Sequence, residues 1–347
     1  MDSHRKSSQV VKNKRTSYLV FLLTIVVMLL VTEGVLRLVH TMRSEHDNGL
    51  NSLLRKSDVP GLQWELTPGF TSDRYKINAQ GFRDAEFPIH KEKSKKRIAC
   101  IGDSHCFGLG VHDVRNIYVS ILHDSLAISE HTEVLNFGVP GYNTWQEFVQ
   151  LQNVVLKYQP DLVILGFFFN DMDGNTAIFT KDGLQRVDDN SDAATTGSYT
   201  TWLKQSHLVR AIKNSLEQLA LAVFDYYPNY IDLKIKTARW SEMKSKLQQM
   251  AEILKEKEIE FLVVIFPMTY QLAKMESESA AQQDIVAFFD EKQIDYVNLF
   301  PVFRQYLQQN NYNYKKLIVK GIRDSHPTAA GHALTARAIL QFLRGDK

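Results

Sequence analysis

Arg97-Ile98-Ala99-Cys100-Ile101-Gly102-Asp103-Ser104 is the stretch whose reading decides the fold. A short apolar run stops at a glycine and two small polar residues, the pattern of a buried strand that turns toward a helix. Gly102 lets the backbone turn sharply at that point. Ser104 then presents its hydroxyl and its own N–H beyond the end of the strand. The same rhythm repeats along the chain. Residues 116–128 predict a helix, and residues 133–137 a second strand stopped by Gly138, Pro140 and Gly141. Residues 144–158 place Trp145, Phe148, Leu151, Val155 and Tyr158 at a helical period, and Pro160 ends that helix. Residues 162–169 are apolar throughout, which predicts the sheet centre, and Phe167, Phe168 and Phe169 are read as its core.

Residues 172–240 break this rhythm with an acidic, Thr-rich stretch at 187–198 and a helical segment over 202–224, and are read as an insertion or cap. Alternation then resumes. Met243, Leu247, Met250 and Leu254 line one helix face. A strand at 261–266, a helix at 280–289, a strand at 296–299 and a last helix at 328–343 follow. Strands alternating with helices predict an α/β fold with a doubly wound parallel sheet. In such sheets ligands bind outside the carboxyl ends of the strands. Ser104, Gly141, Asn170 and the loop with Asp324 and His326 all follow strand ends or the last connections, so their distance in sequence does not prevent contact.

The chain's 347 residues, 44% hydrophobic and 23% charged, fit one large globular domain with extras. The net charge is +2, and residues 1–17 carry Arg5, Lys6, Lys12, Lys14 and Arg15 against Asp2. The remainder is slightly acidic, with no basic face to suggest nucleic acid. Residues 18–40 are almost wholly apolar around Glu33 and Arg37, and their 23 residues match the roughly 20 that a helix needs to cross a bilayer. The basic tail predicts a cytoplasmic N-terminus and a periplasmic or extracellular remainder. The rival is a cleaved signal peptide, disfavoured because Thr32-Glu33-Gly34 is a poor cleavage site and apolar residues resume after it. Residues 41–96 read as a stem and extension, turn-rich at Pro60-Gly61 and Pro68-Gly69, with a short strand at 75–78 and a solvated basic loop at 91–97. Residues 97–347 form the main domain. Cys100 and Cys106 are read as two buried thiols rather than a bridge.

A serine hydroxyl is a weak nucleophile until a base takes its proton, and the base works best when a third group orients it. His326 is the candidate base, and Asp324, two residues before it, the candidate orienting acid. An oxyanion needs donors, and the Ser104 N–H, the Gly141 N–H and the Asn170 side-chain amide are placed to supply them. Asp103 is read as holding the turn. Each piece alone is more often a turn or a helix start; their order, each after a predicted strand or before the final helix, favours a site.

These blocks resemble the SGNH/GDSL hydrolase superfamily, in particular its membrane-anchored bacterial members. Gly102-Asp103-Ser104 is similar to its nucleophile block, and Asn136 to Thr144 to its oxyanion glycine block, with Gly141 the matching donor. Gly166 to Asp171 is similar to its asparagine block, and Asp324 to His326 with Gly331-His332 to its terminal block. Residues 78–84 resemble the segment before the nucleophile, so the likeness covers about 75–343. Two spacings depart from the family pattern: Gly166 stands four residues before Asn170, and Ser325 alone separates Asp324 from His326. The resemblance implies a flavodoxin-like sheet and hydrolysis of acyl or acetyl esters through an acyl-enzyme, with no cofactor. The expected partner is an ester-bearing glycan or lipid of the cell envelope. Two alternatives use the same residues differently: an O-acyltransferase on a surface polysaccharide, and a non-catalytic envelope-assembly protein. Gly108-Leu109-Gly110 mimics a dinucleotide loop, but Asp113 stands where its third glycine belongs. His105, His112 and His123 flank the serine without metal-ligand spacing, so no metal is expected.

Overall fold

The computed structural model describes residues 18, 20–39, 52–172, 177–180, 183–186, 206, 208–209, 211–212, 215, 232, 235–274, 278–319 and 325–345. The chain divides into two compact units, one from residues 1–49 and 190–226, the other from 50–189 and 227–347.

In the first unit, helix α1 (Val20–Val39) has a mean hydropathy of 2.2, and none of that window is buried. Its length and composition suit a membrane span or a signal sequence alike. The Thr24 and Thr32 hydroxyls donate to carbonyls one turn back, at 2.8 Å each, which spares the apolar face two free donors. Glu33 pairs with Arg37 at 2.8 Å and also accepts from the Ser206 hydroxyl at 2.9 Å and the Leu208 N–H at 2.7 Å. The sequence had suggested no such partner from the insertion.

The second unit holds a five-stranded parallel sheet of β3 (Lys96–Gly102), β4 (Thr132–Asn136), β5 (Leu162–Phe167), β8 (Glu260–Ile265) and β9 (Asp295–Asn298), ordered β4-β3-β5-β8-β9. β5 is the central strand and is buried along its whole length. Helices α3 (Tyr118–Glu130), α4 (Thr144–Asn153), α5 (Ala238–Glu256), α7 (Ala280–Lys292), α8 (Leu299–Gln309) and α9 (Ala329–Arg344) flank the sheet, with short α2 (Ser104–Phe107) and α6 (Thr269–Lys274) at strand ends. The order reverses between β3 and β5, the switch point at which open α/β sheets bind ligands. Pairing of β3 with β5 runs from Ile98↔Leu162 to Gly102↔Gly166, so both strands end together.

Several boundaries moved for local reasons. α3 starts at Tyr118 because Asp113 caps a short 3-10 turn over Val114–Asn116 and Ile117 is extended. The helix expected to reach Tyr158 ends at Asn153, where Val154 leaves helical geometry at φ −123° and a 3-10 turn follows. The strand expected at 75–78 is not formed; only a Thr71↔Lys76 bridge pairs there. Asn78 instead accepts from the N–H groups of Gln80 and Phe82, a side-chain turn that competes with strand pairing. Strands β1 (Leu54–Lys56) and β2 (Trp64–Leu66) pair within the stretch read as stem, and β6 (Ala177–Thr180) pairs with β7 (Gly183–Arg186) within the insertion. The acidic stretch at 187–198 and most of the segment at 202–224 lie outside the described residues.

The basic loop is solvated only in part. Arg97 is fully buried; its guanidinium meets Glu133 at 2.7 Å and donates to the carbonyls of Ile89 and Tyr158 at 2.9 and 2.7 Å. Removing one partner of such a pair strands the other charge. Arg97→Ala is therefore expected to lose about 3 kcal/mol or more in urea unfolding, and the paired Arg97→Met, Glu133→Leu change distinctly less.

Candidate active site

The end of β3 builds the site. Gly102 has φ 149°, and a Cβ there would lie 3.0 Å from both the Cys106 Cβ and the Gly166 carbonyl oxygen. Only glycine allows this crossing. Asp103 then caps α2, its Oδ1 accepting the His105 N–H at 2.7 Å. This cap aims the first helical residue, Ser104, outward from the strand end.

The Ser104 Oγ lies 2.8 Å from His326 Nε2. His326 sits on a strap pinned on both sides. The Val319 N–H donates to its carbonyl at 2.8 Å, Ile318 bridges Pro327, and the Thr328 N–H donates to the Leu317 carbonyl at 2.8 Å. Thr328 then caps α9 through the Gly331 N–H at 3.2 Å. A Cβ on Gly331 would come within 2.4 Å of the Leu317 oxygen, so the helix can meet the strap this closely only with glycine. His332, fully buried, accepts the Tyr118 N–H at 3.3 Å and ties α9 to α3.

Asp103 is the buried hub. Its carboxylate is fully enclosed and meets the His105 Nδ1 at 3.0 Å, the Ser104 hydroxyl at 3.2 Å and the Asn170 side-chain amide at 3.2 Å. Burial alone would raise its pKa, but the His105 ring and N–H outweigh burial and hold it at about 2. Ser104 has one proton for two acceptors. With His326 neutral and its Nε2 bare, the shorter contact takes it.

The loop after β4 runs on beside β3: the Phe137 N–H donates to the Cys100 carbonyl at 2.8 Å, and the Val139 N–H to the Gly102 carbonyl at 3.0 Å. Gly138 presses against α2, where a Cβ would lie 2.3 Å from the Phe107 nitrogen. Gly141 follows at φ 81°. Among the described residues, no hydrogen bond uses the N–H of Ser104 or of Gly141. Trp64 of β2 holds this turn, its indole N–H donating to the Pro140 carbonyl at 3.1 Å while its own carbonyl accepts the Tyr142 hydroxyl at 2.7 Å.

Ser104 and His326 are thus in direct contact, Asn170 joins Ser104 on the same Asp103 oxygen, and Gly141 turns beside the same strand end. Asp324 lies outside the described residues. Sequence reading missed two contributors, Trp64 and His105. Trp64 stood in a stretch that looked like a stem. His105 was weighed only as a metal ligand. Glu147, an acid on an amphipathic helix, is fully buried; burial first, and the charge of Asp103 second, push its carboxyl well up, toward the neutral form. Cys100 and Cys106 are both buried free thiols.

Residues 100–334 match the family model described as the GDSL-like Lipase/Acylhydrolase family. The chain belongs to this family. Among solved structures it is similar to a two-domain esterase active on acetylated mannans, at 15% identity and a TM-score of 0.45, over 73% of this chain and 50% of that one. The chain therefore spans half the length of that esterase. It is also similar to LAE5, an alpha/beta hydrolase enzyme from the metagenome of Lake Arreo, Spain, at 16% identity and a TM-score of 0.46, over 73% and 96% of the two chains. An acetylxylan esterase from Geobacillus stearothermophilus matches at 14% identity and a TM-score of 0.43, over 71% and 93%. No curated protein matches the sequence.

In this GDSL-like domain the His332 tie has a pH signature. Burial lowers the pKa of His332 from 6.5 to about 3. Between those values the unfolded chain binds a proton that the folded one refuses, so stability falls as pH falls. Thermal or urea unfolding should lose roughly 1.4 kcal/mol per pH unit from this group across that window. His332→Gln, which keeps an acceptor for Tyr118, should flatten that part of the profile.

Proposed function

We propose that the protein is a serine esterase that hydrolyses acetyl or acyl esters of a cell-envelope glycan or lipid through an acyl-enzyme. The observation that carries this reading is the 2.8 Å contact between Ser104 Oγ and His326 Nε2. His326 Nε2 takes the hydroxyl proton as Oγ attacks the ester carbonyl, and the carbonyl's electron pair moves onto its oxygen. The oxyanion is received by the Ser104 and Gly141 N–H groups and by the second N–H of the Asn170 amide, whose first is held by Asp103. Collapse expels the alcohol, which leaves with the proton from His326. Water then attacks the acyl carbonyl, giving a proton to His326, and collapse releases the acid as the Ser104 oxygen departs and takes that proton back. Asp324, two residues before the base, is proposed to orient its ring and select the tautomer.

Residues 18–40 hold the protein in the membrane, residues 1–17 face the cytoplasm, and the domain from residue 97, interrupted by the insertion at 172–240, works in the periplasm or outside the cell. The basic tail and the apolar α1 support this arrangement.

Kinetics on an aryl acetate test the chemistry. Ser104→Ala and His326→Ala should each lower kcat at least about a thousand-fold, with folding intact by circular dichroism. Activity surviving within about tenfold in Ser104→Ala would overturn the assignment. Product analysis with a glycan present separates water from a sugar hydroxyl as the acceptor.

A further inference from the structure

We propose that His105 is a positioning residue whose ring, gripped by Asp103, forms the platform that holds the His326 imidazole in line with Ser104. This rests on the serine–histidine reading above. The His105 side chain is 2% exposed and leans on His326, with ring centroids 5.1 Å apart and planes 25° from parallel. Phe168 and Phe266 pack against His105 at 4.4 and 4.9 Å. Its Nδ1 lies 3.0 and 3.3 Å from the two Asp103 oxygens, and its N–H meets the same carboxylate at 2.7 Å. Rotation of the ring about its own axis is therefore blocked from one side by the carboxylate and from the others by aromatic faces.

His105 Nε2 is buried and has no hydrogen-bond partner among the described residues. A buried imidazole with an orphaned nitrogen carries a cost that phenylalanine would not. What the ring gains in exchange is the bond to Asp103, which a hydrocarbon ring cannot make. His326 is itself on a strap, not on a strand or long helix, and the His105 ring is the face its imidazole leans on. Displacement of a reacting group by about 1 Å costs on the order of 100-fold in rate. Asp103 adds a second effect. A proton taken by His326 makes an imidazolium, and the His326 and Asp103 charges favour one another.

Three His105 variants separate the ring from its volume. His105→Leu fills the space without a flat face and should lower kcat about 30- to 100-fold, with KM within about twofold of wild type. His105→Phe restores the flat face without the grip of Asp103 and should recover kcat in part, to a rate between the Leu variant and wild type. Should the Leu variant fail to fold by near-ultraviolet circular dichroism, His105→Met takes its place. Leu or Met at the wild-type rate, or Phe as slow as Leu, would overturn the platform. Ser104→Ala and His326→Ala are assayed alongside. If those stay active, the serine–histidine reading falls; if they are dead while every His105 variant runs at the wild-type rate, the platform alone falls.

Discussion

One buried carboxylate organises the site. Asp103 sits with no solvent exposure between the end of β3 and the first turn of α2. An anion there would be costly without partners. The chain supplies the His105 N–H and ring and the Asn170 amide, each within 3.2 Å at its nearest, and sets the Ser104 oxygen beside them at 3.2 Å. Each of those partners is thereby fixed in place. The result couples a turn residue, a nucleophile candidate, an oxyanion-donor candidate and the ring beneath the base candidate.

The sheet provides the rigid frame for this arrangement. β3 and β5 end in register at Gly102 and Gly166, and the loop after β4 stays bonded to the β3 end through Val139. Residues far apart in sequence then converge without long flexible connections. The residues before β3 stiffen the same region. Trp64 holds the Gly141 turn, and Arg83 donates to the carbonyls of Phe107, Gly108 and His112 in the loop after α2. Asp84 accepts the Asn136 N–H at the mouth of the next strand. Removal of the segment before residue 97 would therefore loosen the site, although none of its residues touches Ser104 or His326 in the bonds described.

Much of this was legible in the sequence because it depends on local chemistry. Apolar runs closed by Gly102, Gly138 and Pro160 mark strand and helix ends, since glycine and proline act on the backbone wherever they stand. That the sheet is parallel followed from the alternation of strands with helices. What stayed hidden depends on contacts made only after folding. Arg97 looked like the end of a solvated basic run, yet Glu133 and two carbonyls repay its burial. Residues 75–78 carry strand-like alternation, yet Asn78 turns the backbone first. His105 read as a stray histidine, because nothing local shows that it will lie under a ring 221 residues away in sequence. Asn170 was singled out by its position after a strand end and His326 by its place before the final helix, while Trp64 had no such marker.

The most direct measurement of the central claim is covalent trapping. Full-length protein treated with a fluorophosphonate, digested and analysed by peptide mass spectrometry should carry one adduct per chain, on Ser104, and His326→Ala should label far more slowly. No adduct on folded protein, or an adduct on a different serine, would contradict the account.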